Sequence, residues 1–484
     1  MNNTGTSVLT NFIWRLMERV GAQLVGVVVS IVLARILEPT DYGVVALINV
    51  VISILSVFIS AGFSSALIQK KDADDTDFSS VFYAQMVICT VLYFLLFIAS
   101  PYIAAFYHHP EMTPMIRVVG ITLLIAGVKN VQISYVSKHM IFKKFFFATL
   151  GGTIGAAFVG IGMATVGFGA WALIIQSLFN NFIDTVILWM TVKWRPKRLF
   201  SFERLKGLFS YGWKLLVSAL LDTGYRDLRS LIIGRLYTSS DLAFYNRGQA
   251  LPSLVVSNIN SSIDSVLLPT MSSEQDNRSR VRDMTRRAIK TSTYLMMPMM
   301  MGLAVCAEPI VRILLTEKWL PSVFFMRVFC FTYAFLPIHT ANLNAIKAMG
   351  RSDLFLKLEI VKKIMGLIIL VSTMFISVKA MALSAIGTSI LSQVINSWPN
   401  RKLLDYHYKD QVKDMLPQIA LSCGMGIIVY CVTFIGLNDY ITLLIQIPLG
   451  ALIYLSGSLL FHVDSFDYMV NIAKSYMNKK GRKK

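Results

Sequence analysis

Charge is scarce in this chain of 484 residues. Asp, Glu, Lys and Arg make up 15% of it, where soluble proteins carry about a quarter. Acids are the scarcer sign, 27 against 46 Lys and Arg. There is no GxxxxGK[ST] loop, which leaves no evident ATPase, and no zinc motif, nucleophile motif or Gly-rich dinucleotide turn. The five cysteines (Cys89, Cys306, Cys330, Cys423 and Cys431) lie in apolar runs and form no CxxC pair. They read as packing thiols, not disulfides or metal ligands. A soluble enzyme and a disulfide-stapled secreted domain are both excluded.

What is abundant is apolar sequence, 55% of the chain. Runs of about 20 apolar residues span the ~30 Å hydrocarbon core as helices. About fourteen are legible: 11–36, 43–68, 78–106, 114–136, 146–166, 169–192, 212–236, 242–270, 288–315, 321–346, 354–377, 380–399, 414–436 and 440–462. The N-terminus lacks a short apolar core followed by a cleavage site, so the first run reads as a retained helix. The connections after even-numbered runs collect most of the bases, among them Lys70, Lys71, "KWRPKRLFSFERLKGLFSYGWK" and the tail "KSYMNKKGRKK". By the positive-inside rule that side, with both termini, is cytoplasmic. The net charge of +19 is then topology and attraction to anionic headgroups, not nucleic-acid binding. Connections on the other side are short; "HHPEMTP" at 108–114 is the longest. No catalytic domain fits there.

A shift of 200 residues lays "ARILEPTDYG" over "GRLYTSSDLA", matching Arg35 with Arg235 and Asp41 with Asp241. "SALI" and "SVLL" follow in register. The common order implies a six-helix duplication in parallel orientation, as in transporters with a site between two halves. The expected organisation is a first lobe at 1–192, a basic linker at 193–213 that includes an interfacial helix, and a second lobe at 214–405. Two further helices at 406–464 and a basic tail at 465–484 follow.

"LVSALLDTGYRDLRSLIIGRLY" (216–237) is apolar at both ends, with Asp222, Arg226, Asp227 and Arg229 near its middle. A charge facing lipid at that depth costs at least about 2.5–3.5 kcal/mol, so this face must meet protein or water. Asp222, Arg226 and Arg229 share one helical face and Asp227 points away. Two readings stand: a polar cavity, or a structural Asp222–Arg226 ion pair. Arg15, Arg19, Lys129 and Arg247 are the other bases at membrane depth. Convergent, they would form a cationic column suited to phosphate, which the planar Arg fork engages through two oxygens. Arg117, Arg312 and Arg327 lie near an interface, where snorkelling competes with substrate contact. Glu18, Asp222, Asp227 and Asp264 are candidates for ion coupling or charge pairing. Pro252, Pro298 and Pro337 interrupt helices and are candidate hinges or static kinks. "GGTIGAAFVGIG" (151–162) has helix-packing spacing. His108, His109 and Glu111 offer a metal reading that their exposed loop disfavours; no metal or cofactor is expected beyond a proton or sodium gradient.

"LARILEPTDYGVVAL", "SALIQKKD", "GRLYTSSDLAFYNRGQAL", "LLPTMSSEQDN" and "EPIVRILLTEKWLPSVFFMRV…NAIKAMGRSDL" resemble the polysaccharide-exporter (Wzx-type flippase) branch of the MOP exporter superfamily. The likeness is greatest to colanic-acid and teichuronic-acid exporter-like members and covers roughly residues 10–400. The resemblance implies an all-α, MATE-like membrane protein of fourteen helices in two pseudo-symmetric six-helix lobes plus two. It also implies a bacterial inner-membrane flippase, not an enzyme. The cargo would be an undecaprenyl-diphosphate-linked oligosaccharide, moved outward by alternating access, with the pathway's polymerase as a candidate partner. In such a protein Arg15, Arg19, Lys129, Arg226, Arg229 and Arg247 are the cavity candidates. The competing functions are an ion-coupled multidrug-type antiporter of the same superfamily, which needs an excess of cavity acids, and a membrane glycosyltransferase, polymerase or ligase, which needs a sizeable outward loop.

Overall fold

The computed structural model describes residues 21–60, 62–139, 141 and 143–481. Among these every regular element is a helix and no strand occurs. The chain divides into two compact units, 1–243 and 244–484. The first holds α1 (Gly21–Ile36), α2 (Pro39–Ser60), α3 (Phe63–Gln69), α4 (Asp75–Phe106), α5 (Met112–Lys138), α6 (Lys143–Thr165), α7 (Ala170–Thr191), α8 (Phe202–Leu236) and the start of α9 (Ser239–Ser272). The second holds the rest of α9, then α10 (Arg278–Val305), α11 (Ala307–Leu315), α12 (Ser322–Ala334), α13 (Leu336–Ala348) and α14 (Ser352–Thr373). α15 (Val378–Ser397), α16 (Asn400–Leu403), α17 (Tyr408–Cys431), α18 (Asp439–Leu460) and α19 (Asp464–Gly481) complete it.

Each apolar run read from the sequence falls, in its described part, on one helix or a broken pair. Among the described residues, nine stretches are long and apolar enough to cross a membrane, and the α10–α11 pair, bent by 65°, makes a tenth. α8, α9 and α14 fall short because they are polar. The charges at 222–229 lie in α8, "SNINSSIDS" in α9, and Lys357, Glu359, Lys362 and Lys363 in α14.

The repeated "TDYG/SSDLA" motif has a shared local job. Asp41 Oδ2 accepts from the Glu38 amide at 3.1 Å, and Asp241 Oδ2 from the Thr238 amide at 3.3 Å. Each aspartate thereby satisfies a free donor where its helix begins. Next to Asp41, a Cβ on Gly43 would lie 1.9 Å from the Ser239 carbonyl oxygen, so the start of α2 meets the start of α9 only through glycine. In α4, Asp74 accepts from Thr76 and Asp77 at 3.0 Å, and Asp77 answers to the Asp74 amide at 3.2 Å, a capping box.

The linker expected at 193–213 has no regular secondary structure from 193 to 201 and is helical from Phe202, where α8 starts. Its irregular part is strapped to the N-terminal end of α4. Lys197 and Ser201 donate their amides to Ser79 and Ser80 at 2.9 Å, and Tyr83 donates to the Lys197 carbonyl at 3.1 Å. Trp194 joins a core with Phe63, Leu67, Phe78 and Val131, its indole N–H on Asp75 at 3.1 Å. Arg204, donating to Asp74 at 2.5 Å, holds that carboxyl down at about 2.

In the second unit, Tyr294, Cys306, Met425, Val429 and Tyr454 form a core. Asn342 and Gln411 exchange amide hydrogen bonds at 3.0 Å, and Asn400 adds a third at 2.8 Å. All three side chains are buried, so this network joins α13, α16 and α17 with its main donors used.

The small-residue run at 151–162 lies in α6, which packs on α7. A Cβ on Gly152 would come within 2.9 Å of Asn180 Oδ1 and 3.1 Å of its carbonyl, whereas one on Gly162 meets nothing within 4 Å. Gly152→Val is therefore expected to cost about 1–3 kcal/mol by overpacking. Gly162→Ala should leave thermal unfolding in detergent unchanged; equal effects would refute the packing role.

Candidate functional site

α8 carries the charges that the sequence places at membrane depth. Along it Asp222 and Arg226 are exposed, Arg229 is half-buried and Asp227 is turned inward, the distribution a 3.6-residue period gives. Arg226 is 69% exposed, and its Nε donates to Asp227 Oδ1 at 3.2 Å. The other oxygen, Asp227 Oδ2, accepts from Ser53 Oγ of α2 at 2.5 Å. Ser53 → Asp227 ← Arg226 is thus a relay that fixes the Nε end of a largely exposed side chain. Asp222 and Arg229 are themselves engaged.

The other sequence candidates have specific surroundings. Lys129 on α5 donates to Asp184 Oδ2 at 3.0 Å and Asn181 Oδ1 at 3.2 Å on α7, with both charged side chains largely buried. Arg247 on α9 lies over the Trp319 ring at 5.3 Å and has further contacts. Asp264 on α9 accepts from Asn344 at 2.8 Å. Arg15, Glu18 and Arg19 lie outside the described residues. Pro252 is inside α9, Pro298 inside α10, and Pro337 in the first turn of α13. The sharp α10–α11 bend falls at Cys306, away from Pro298. The interface arginines have local partners: Arg117 donates to Ser100 at 3.0 Å and lies over Phe97, Arg312 pairs with Glu308 at 3.0 Å, and Arg327 donates to the Ala304 carbonyl at 3.3 Å.

His108 and His109 are joined to the α8–α9 turn. His109 uses Nδ1 on Glu111 (2.6 Å) and Nε2 on Ser239 (2.7 Å), while His108 Nε2 meets Arg235 Nη1 at 2.5 Å. Burial pulls the Glu111 carboxyl up, but its own backbone amide and the His109 ring outweigh that and hold it below its ordinary value. Among the described residues no group of three or more His, Cys, Asp or Glu is arranged for a metal.

The His108 contact has a sign. Arginine only donates, so His108 Nε2 must accept and carry no proton.

Ser53 and Asn344 could not have been picked out by sequence: nothing distinguishes them from other membrane Ser and Asn until the fold sets them against Asp227 and Asp264.

Residues 32–324 match the family described as "Polysaccharide biosynthesis protein". The chain is 22% identical to the teichuronic acid biosynthesis protein TuaB of Bacillus subtilis, over 82% of this chain and 84% of that one. It is 26% identical to the succinoglycan biosynthesis transport protein ExoT of Rhizobium meliloti, over 65% and 63%. Its fold matches the lipid II flippase MurJ in an inward closed conformation, with a TM-score of 0.77 at 16% identity, covering 93% of this chain and 99% of that one. The same fold is found in a solved multidrug resistance MATE family transporter of the MOP superfamily, with a TM-score of 0.61 at 15% identity, covering 81% of this chain and 98% of that one, and the chain belongs to the polysaccharide biosynthesis protein family.

Proposed function

We propose that this protein is a flippase that carries a polyprenyl-diphosphate-linked oligosaccharide repeat unit from the cytoplasmic to the outer leaflet of the bacterial inner membrane. Both termini are cytoplasmic in this reading, and the product feeds export of a surface polysaccharide. The observation that carries it is Arg226: a side chain 69% exposed on α8 between the apolar runs "LLVSALL" and "LIIG", oriented by Asp227 and Ser53. A site for a diphosphate needs such a fork of donors in a space that water enters. The names of the relatives, which concern teichuronic acid and succinoglycan, favour a glycan cargo. A cationic drug would need an excess of exposed carboxylate on α8, whereas Asp222 and Arg226 are both exposed there and balance in charge. With no nucleotide loop in the sequence, the energy comes from a proton or sodium gradient, and Asp264 is the candidate coupling carboxylate on α9.

The test is reconstitution in proteoliposomes with defined polyprenyl-diphosphate sugars, with and without imposed proton and sodium gradients. Accelerated transbilayer movement of the sugar lipid is the expected result. Movement of small organic cations in its place would overturn the reading.

A further inference from the structure

We propose that the cavity between α17 and α18 is a binding site for one anionic glycerophospholipid, acyl chain in the slot and phosphate against Lys413 and Lys290. The cavity, open on one side, has a volume of about 890 Å³, near the upper end of small-molecule sites at about 300–1,000 Å³. It lies wholly in the second unit and does not depend on the flippase reading.

α17 and α18 pack closely at one end of the slot. There Gln446 donates to the Val429 carbonyl and to Thr433, both at 3.1 Å, and a Cβ on Gly450 would touch Val429 at 3.4 Å. Toward the other end the walls are Leu421, Met425, Ile428, Ile453 and Leu460, and a Cβ on Gly424 would meet nothing within 4 Å. Small residues normally let membrane helices approach closely, as Gly457 does against Leu421, where a Cβ would lie 2.5 Å away; Gly424 instead opens on the void. Apolar walls give water few partners, so the slot suits an acyl chain.

The mouth supplies the headgroup chemistry. Asp414 is taken by Arg286 at 2.7 and 2.8 Å and by Tyr406 at 2.8 Å. Lys290 reaches Asp464 at 2.9 Å and Asp414 at 3.4 Å. Lys413 lines the same mouth, exposed, with no ion-pair partner among the described residues. Asp414 closes on Arg286 and Asp464 on Lys290, which leaves Lys413 as the lining cation without a carboxylate partner among the described residues. That charge complements a phosphodiester of single negative charge, whereas a zwitterionic headgroup brings no net charge to it. The apolar slot below and the basic mouth above match the two ends of a membrane phospholipid.

The experiment uses the full-length protein in detergent, with lipid retention read by native mass spectrometry and stability by thermal unfolding. Phosphatidylglycerol is expected to be retained one per protein and to raise the unfolding temperature; phosphatidylethanolamine with the same chains should do neither. Lys413→Glu should lower phosphatidylglycerol retention roughly tenfold. Gly424→Phe, which fills the slot, should abolish it with helicity unchanged. Equal retention of the two lipids, or wild-type retention by Lys413→Glu, would overturn the proposal. So would displacement of phosphatidylglycerol by added polyprenyl diphosphate, because the slot would then hold the transported lipid's chain; persistence of phosphatidylglycerol supports it. None of these readouts requires transport, so a failed flipping assay leaves them standing.

Discussion

Arg226→Ala is expected to abolish surface polysaccharide export in a strain that depends on this protein, with the variant reaching the membrane in normal amount. The side chain is mostly exposed and fills no core, so truncating it removes chemistry with little loss of packing. A guanidinium engages two phosphate oxygens at once through charge-assisted bonds worth about 1.5–3 kcal/mol each. Losing both amounts to about 3–6 kcal/mol, a hundredfold or more in rate. Arg226→Lys keeps the charge and loses the fork, and should fall between wild type and alanine. Asp227→Asn leaves the guanidinium but loosens its tether to Ser53, so a milder loss is expected. The checks are export on the cell surface and quantitative immunoblotting of membranes. Full export by the alanine variant would remove Arg226 from the site.

The helical architecture was legible because hydrocarbon thickness imposes a length and a composition on every crossing helix. Even α8 and α9, too polar to pass as spans on hydropathy, could be placed from the length of their apolar stretches between polar clusters. The duplicated Asp41 and Asp241 were visible as a motif, and the structure gives the reason: each caps its own helix. The partners of the buried charges were not legible. Lys129 and Asp184 are 55 residues apart, and Ser53 and Asp227 are 174 apart; no local pattern announces such pairs. Periodicity separated Asp227 from the Asp222–Arg226–Arg229 face but could not say that Ser53 would meet it. The α10–α11 bend was also hidden, because it falls at Cys306 and not at the proline that the sequence offers.

Asp414→Ala should destabilise the second unit by about 3–5 kcal/mol, with little protein surviving in the membrane. Its side chain is 4% exposed and accepts from Arg286 through two nitrogens and from Tyr406, with Lys290 close by. Removing one member of a buried ion pair strands the others, which costs more than the pair contributes. Arg286 is half exposed and can turn to water, which trims the loss. The Tyr406 hydroxyl, in a side chain about 2% exposed, has no such escape and adds about 1–3 kcal/mol. Burial and then the Asp414 carboxylate push the Tyr406 phenol up, so it remains a donor throughout ordinary pH. Asp414→Asn with Arg286→Gln, which removes both charges and keeps hydrogen-bonding groups, should recover most of the stability. Thermal unfolding in detergent measures both variants. If the double variant were no more stable than the single, stranded charge would not be the cause. Asp414→Ala should lower export through the amount of protein and Arg226→Ala at constant amount, so immunoblots beside export assays separate the clamp at α10 and α17 from the charge proposed to meet the cargo.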